Sequence, residues 1–102
     1  MTSSPLELRQ VVARDVHVAD DALVVDLADG RTLSVPLAWY PRLAHATSTE
    51  RANWRFIGRG EGIQWPDLDE DISVEGLLAG GPSGESQASF KTWLEKRRRM
   101  PE

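Results

Sequence analysis

Two runs of alternating apolar residues meet at Asp29-Gly30, and no other feature restricts the possible folds so sharply. Leu23, Val25 and Leu27 alternate with Val24, Asp26 and Ala28 before it; Leu33, Val35 and Leu37 follow it. A period of two puts one set of side chains on one face of a strand. Asp-Gly between two such runs predicts a type I′ hairpin, whose two central residues both need positive φ. Val12, Val16 and Val18 repeat the pattern upstream, with Arg14 on the same parity, and Asp20-Asp21 supplies a turn. Together these segments predict a three-stranded antiparallel meander with one buried face, the third strand ended by Pro36.

Downstream the pattern shortens. Pro41 suits the first position of a short helix running over Arg42–Ala46. Thr47 stands three residues before Glu50, the spacing of a capping box, and predicts a helix over about 48–56. In that helix Ala52 and Trp54 or Phe56 would face the sheet. Gly58, Gly60 and Gly62 break it and lead into Ile63-Gln64-Trp65, a fourth strand. Ser73 caps a helix over Val74–Ala79, with Ile72 and Leu77 spaced as a hydrophobic staple and Gly80-Gly81-Pro82 as its end. The fold class is therefore α+β: a curved antiparallel meander of three strands plus a fourth, short helices, and a C-terminal amphipathic helix. Residues 1–80 form one domain, with a loosely attached start over 1–10. Residues 81–89, rich in Gly and Ser, read as a flexible linker. Residues 90–102 form a basic amphipathic tail, in which Phe90, Trp93, Leu94 and Arg97 share one helical face.

Charge is unevenly placed. The chain has 102 residues, no cysteine and a net charge of −4. Glu61 to Glu75 carries six acidic residues and no basic one, whereas Lys91 to Arg99 carries five basic residues against Glu95 alone. No apolar run approaches the ~20 residues that cross a bilayer, and the first residues lack a signal-peptide pattern. Without cysteine there are no disulfides or thiolate ligands. The expected location is cytoplasmic.

The ordered blocks Asp29-Gly30-Arg31, Leu33 to Leu37, Trp39-Tyr40-Pro41-Arg42-Leu43, Arg51-Ala52-Asn53-Trp54 and Ile63 to Ser73 resemble the small bacterial DUF2442 family, a domain of unknown function, over roughly residues 11–80. The resemblance implies a small α+β domain and no established activity. It also implies that some relatives carry a helix-turn-helix after this module. Others stand alone beside a second small protein, an arrangement similar to toxin–antitoxin pairs. About twenty residues follow Gly80 here, too few for a helix-turn-helix.

Several chemistries can be weighed on spacing. Asp67, Asp69, Glu70 and Asp71 invite calcium, but a calcium loop starting at Asp67 would place Ile72 where glycine belongs and Leu78 where glutamate belongs. Asp71 and Glu75 are better placed to favour a helix N-terminus, and Asp67 and Asp69 to form a turn. Nothing fixes a separation between carboxylates for glycoside chemistry. His17 and His45 are the only histidines, and no serine sits in a nucleophile elbow. Gly58-Arg59-Gly60-Glu61-Gly62 lacks the Gly-Lys-Ser/Thr ending of a phosphate loop and reads as a turn with positive-φ glycines. No catalytic residue, metal site or cofactor is expected.

Interaction residues remain. Trp39, Tyr40, Trp65, Asp67 and Asp69 form one candidate surface, and Phe90, Trp93 and Leu94 another, because a lone helix this short needs a partner for its apolar face. That partner is this domain's own acidic segment around Asp67–Glu75, a second copy, or another protein. The expected function is a non-enzymatic protein-interaction module, antitoxin-like or regulatory, with a protein partner or homo-oligomer and no membrane. The alternative is a nucleic-acid-binding accessory acting through Lys96, Arg97, Arg98 and Arg99.

Overall fold

The computed structural model of the chain describes residues 11–99, the Arg99 side chain excepted. The expectation of a loose start over 1–10 and the tail end at 100–102 lie outside that range. The predicted meander forms as β1 (Ala13–Val18), β2 (Ala22–Leu27) and β3 (Thr32–Pro36), antiparallel in that order. Leu23, Val25 and Leu27 line its inner face. Val16 pairs with Val25 and Val18 with Leu23 on one side, Val35 with Leu23 and Leu33 with Val25 on the other. The parity of Arg14 is explained by a register shift between Ala13 and Asp15, which makes it the extra residue of a bulge. Ala13 and Val16, three apart, are consequently both buried while Arg14 stays exposed.

Several expectations are corrected. The Asp29-Gly30 hairpin is not type I′: only Gly30 has positive φ, at 98°. Leu27 N–H instead bonds Arg31 O at 2.8 Å across a longer loop, and the Asp29 carboxylate accepts from Arg31 N at 3.0 Å. An aspartate that anchors the chain two residues on stabilises a turn without needing the left-handed region itself. Leu37 leaves the third strand for a 3-10 turn, Leu37–Trp39, and α1 (Pro41–Ala44) then begins at the proline and stops at Ala44, before the expected 46.

The helix predicted over 48–56 is shorter. α2 (Ser48–Ala52) has the full capping box, but Ala52 is exposed, and Arg55–Ile57 form β4. Trp54, Phe56 and Ile57 are aromatic or β-branched, the residues that fit a pleated surface, and a partner strand is available. That partner, β5 (Gly62–Trp65), is the expected fourth strand. It does not extend the meander; it is the centre of a second antiparallel sheet, β4-β5-β6, with β6 (Glu70–Ser73) built from the acidic stretch. Phe56, Ile63 and Ile72 lie in register across it.

The two sheets share one core. Leu23, Leu27, Leu43, Ile63, Trp65 and Leu68 are all fully buried in it. Backbone ties the sheets where Ala13 N–H bonds Gly60 O at 2.8 Å. Gly60 has φ +96°, and a Cβ there would lie 2.5 Å from Ala13 O, so no other residue fits. Ser73 caps α3 (Val74–Ala79) as expected, accepting from Gly76 N at 2.9 Å, and Gly80 closes it in the left-handed conformation. The last element is α4 (Gln87–Arg99).

Candidate functional site

The site is centred on Arg42, which α1 projects from the turn after its initiating proline. One guanidinium joins three segments. Its Nη1 donates to Leu68 O at 3.0 Å and Asp69 O at 3.4 Å, holding the turn before β6. Nε and Nη2 grip the Glu85 carboxylate, the closest contact being 2.6 Å. Its Cζ also lies 5.3 Å from the Trp93 ring centroid on α4, within cation–π range. Hydrogen bonds from Arg42 hold the Glu85 carboxyl below the usual carboxylate range, and the same bonds raise Arg42.

Residues 81–86 run between α3 and α4 without regular structure but with several anchors. Ser83 N–H bonds Trp39 O at 3.0 Å, and Tyr40 OH donates to Gly81 O at 3.3 Å. Shallow clefts of about 210 and 290 Å³ flank Ser83-Gly84, and Glu70 lines both. Burial pushes the Glu70 carboxyl up to about 7; Arg42 opposes this, and Glu85, Asp71 and Asp69 add to it. Burial, with the charge of Glu70, also raises the Tyr40 phenol.

A second clasp lies on α2. Arg97 donates to both oxygens of Glu50, at 2.8 Å each. Oε1 of Glu50 also accepts from Thr47 N at 2.9 Å, closing the capping box. Arg97 and then Thr47 hold this carboxyl down at about 2. Arg97 Cζ stands 4.6 Å from the Trp93 ring centroid. Phe90 packs against His45 at the end of α1, centroids 5.0 Å apart, and against Trp93 at 5.8 Å. Thus α4 rests on α1 and α2 and not on the acidic segment, one of the three partners the sequence leaves open: among the described residues Asp67, Asp69, Asp71 and Glu75 form no ion pair. No described residue of α4 is fully buried.

The sequence candidates fall into distinct settings. Tyr40 and Trp65 are buried, and Trp65 Nε1 donates to Arg51 O at 3.1 Å, so neither presents a surface. Trp39 is half-buried. Asp67 is exposed and accepts from Asn53 Nδ2 at 3.0 Å; Asp69 is exposed with φ 51°. Phe90, Trp93 and Leu94 are half-buried along α4, while Lys96 and Arg98 are exposed. Arg99 ends α4, its side chain outside the described residues. The structure adds Arg42, His45, Glu50, Glu70 and Glu85. Glu85 had a signal, as the only charged residue among the small ones from Gly80 to Ser89. Glu50 had one too, but the capping box accounted for it fully.

The sequence profile of a family described as "Protein of unknown function (DUF2442)" matches residues 13–83. Among solved structures, a protein of unknown function from Rhodospirillum rubrum is similar at 26% identity, with a TM-score of 0.64, covering 79% of this chain and 98% of its own. An uncharacterized protein from Chromobacterium violaceum is similar in fold at 23% identity and a TM-score of 0.64, covering 90% of this chain and 81% of its own. No curated protein matches the chain.

Proposed function

The chain belongs to the DUF2442 family, whose function is not established, and from its own surfaces we propose that it is a non-enzymatic protein-interaction module with α4 as its recognition element. One observation carries this reading. α4 has an aromatic and apolar face, yet folding leaves every described residue of it at least partly exposed. A helix of 13 residues is marginal by itself, and this one is held by ion pairs and ring contacts that another surface could replace. The nucleic-acid alternative is weakened because Arg97 is occupied by Glu50, which leaves Lys91, Lys96 and Arg98 exposed.

The test replaces Phe90, Trp93 and Leu94 together by Ala in the full chain. Capture from native cell extract and light scattering are then compared with the wild type. The reading expects a specific partner or a defined oligomer to be lost while the sheets stay folded. Unchanged partners and unchanged oligomeric state would remove α4 from recognition. Capture of nucleic acid instead, with affinity falling steeply in salt, would favour the alternative.

A further inference from the structure

We propose that the face formed by α1 and α2 is a receptor for an amphipathic helix, and that α4 is its built-in competitor. The partner would bind by presenting a helix with two aromatic residues three apart and an arginine four residues after the second. This rests on the chain being a protein-interaction module and differs from the reading above in one respect: an outside helix meets the face under α4 and not α4 itself. The triple alanine variant would therefore gain such a partner where the reading above has it lose one.

The face and its ligand are both visible. His45 meets the first aromatic residue, Phe90; Arg42 lies over the second, Trp93; and the Glu50 carboxylate receives Arg97 through two hydrogen bonds. Positions 90, 93 and 97 fall on one side of a helix, so the three contacts are made together. The face is made of cation, imidazole and carboxylate in fixed order, which selects sequence and direction as well as apolar content. All three receptor residues lie within the segment matched to the family, residues 13–83, whereas the whole of α4 lies beyond it. The face therefore lies within the family segment and its occupant beyond it.

Tethering explains why such a face would be covered. A helix joined through residues 81–86 acts at an effective concentration in the millimolar range. Weak contacts then suffice to keep it seated, and a free helix must compete with it. Apparent affinity for an outside helix is reduced by the fraction of chains whose own helix is away.

The probe is a fluorescent peptide of residues 86–99, titrated with the full chain and monitored by anisotropy. Arg97→Glu in the chain repels its own helix from Glu50 and leaves the face intact. That variant should bind the wild-type peptide about tenfold more tightly than the wild-type chain does. Glu50→Arg should lose the wild-type peptide and recover binding to a peptide carrying Arg97→Glu. Equal affinity of the wild-type and Arg97→Glu chains overturns the proposal, as does no binding to the Arg97→Glu chain at millimolar peptide. Hydrogen exchange of α4 gives a second readout: protection should fall in each single variant and return in the double charge swap. Unchanged protection in all of them also overturns it. If the peptide fails while the triple alanine variant still loses its partner, the receptor assignment falls and the role of α4 in recognition stands.

Discussion

Trp65 and Trp93 have the same side chain and opposite means of support. Trp65 has no exposed surface, lies among Leu, Ile and Val, and places its one polar atom on the Arg51 carbonyl. Trp93 is half-buried at the edge of the core, stacks on Phe90 and has two guanidinium groups near its ring. The first is held by desolvation, which is insensitive to salt and to nearby charge. The second adds to its partial burial a dependence on charges that water and ions can replace. One molecule thus has a core that must form for it to exist and, on the proposal above, an attachment that it can lose.

The largest expected effect tests the first half of that contrast. Trp65→Ala should cost about 3–5 kcal/mol in urea unfolding, from lost burial and a cavity; a cost below about 1 kcal/mol would erase the distinction. Arg42→Ala should cost about 2–3 kcal/mol, since it strands a mostly buried Glu85 carboxylate and the Leu68 carbonyl. Hydrogen exchange should show the loss in residues 81–99 before the sheets. Equal loss in both sheets would mean that Arg42 belongs to the core.

Glu70 sharpens the contrast through pH. Its folded pKa is raised from 4.5 to about 7, so the folded chain holds this proton more tightly than the unfolded one. The associated stability is full below about pH 4.5 and is lost as pH rises through about 7. Glu70→Gln should remove that decline and raise stability at pH 8 by about 1–2 kcal/mol. Parallel pH curves for the two proteins would refute the assignment. The smallest effect belongs to Glu50, whose pKa shifts the other way, from 4.5 to about 2. Its contribution is present above about pH 4.5 and lost as pH falls through about 2. With both partners partly exposed, Glu50→Gln should cost only about 1 kcal/mol at pH 7. Tryptophan fluorescence should then approach that of the wild type in high salt. If salt leaves wild-type fluorescence unchanged, the clasp is not electrostatic.

Local signals in the chain were read with different success. The meander, the Ser73 cap and the Thr47–Glu50 box were legible because each depends on residues within a few positions of one another. The second sheet was not. Arg55–Ile57 becomes a strand only because Gly62–Trp65 is there to pair with it, a long-range fact that overrode a good helix start at Thr47. Likewise Glu70 to Ser73 shows carboxylates first and a strand only once Ile63 faces Ile72. The Arg42 assembly was illegible for a similar reason: Arg42 and Glu85 are 43 residues apart, and Glu50 and Arg97 are 47. Nothing in the spacing of single charges announces such pairs.

Glu50 also belongs to the helix it begins. Its Oε1 accepts from Thr47 N within the capping box of α2, a bond in which Arg97 takes no part. Departure of α4 would therefore leave behind a carboxylate already locked in its rotamer and aimed outward. The next helix to arrive would not have to order it, a saving of about 0.5–1.5 kcal/mol for a side chain of this kind. Helix capping, ordinarily a device of folding, would then serve also as preorganisation of a vacated seat.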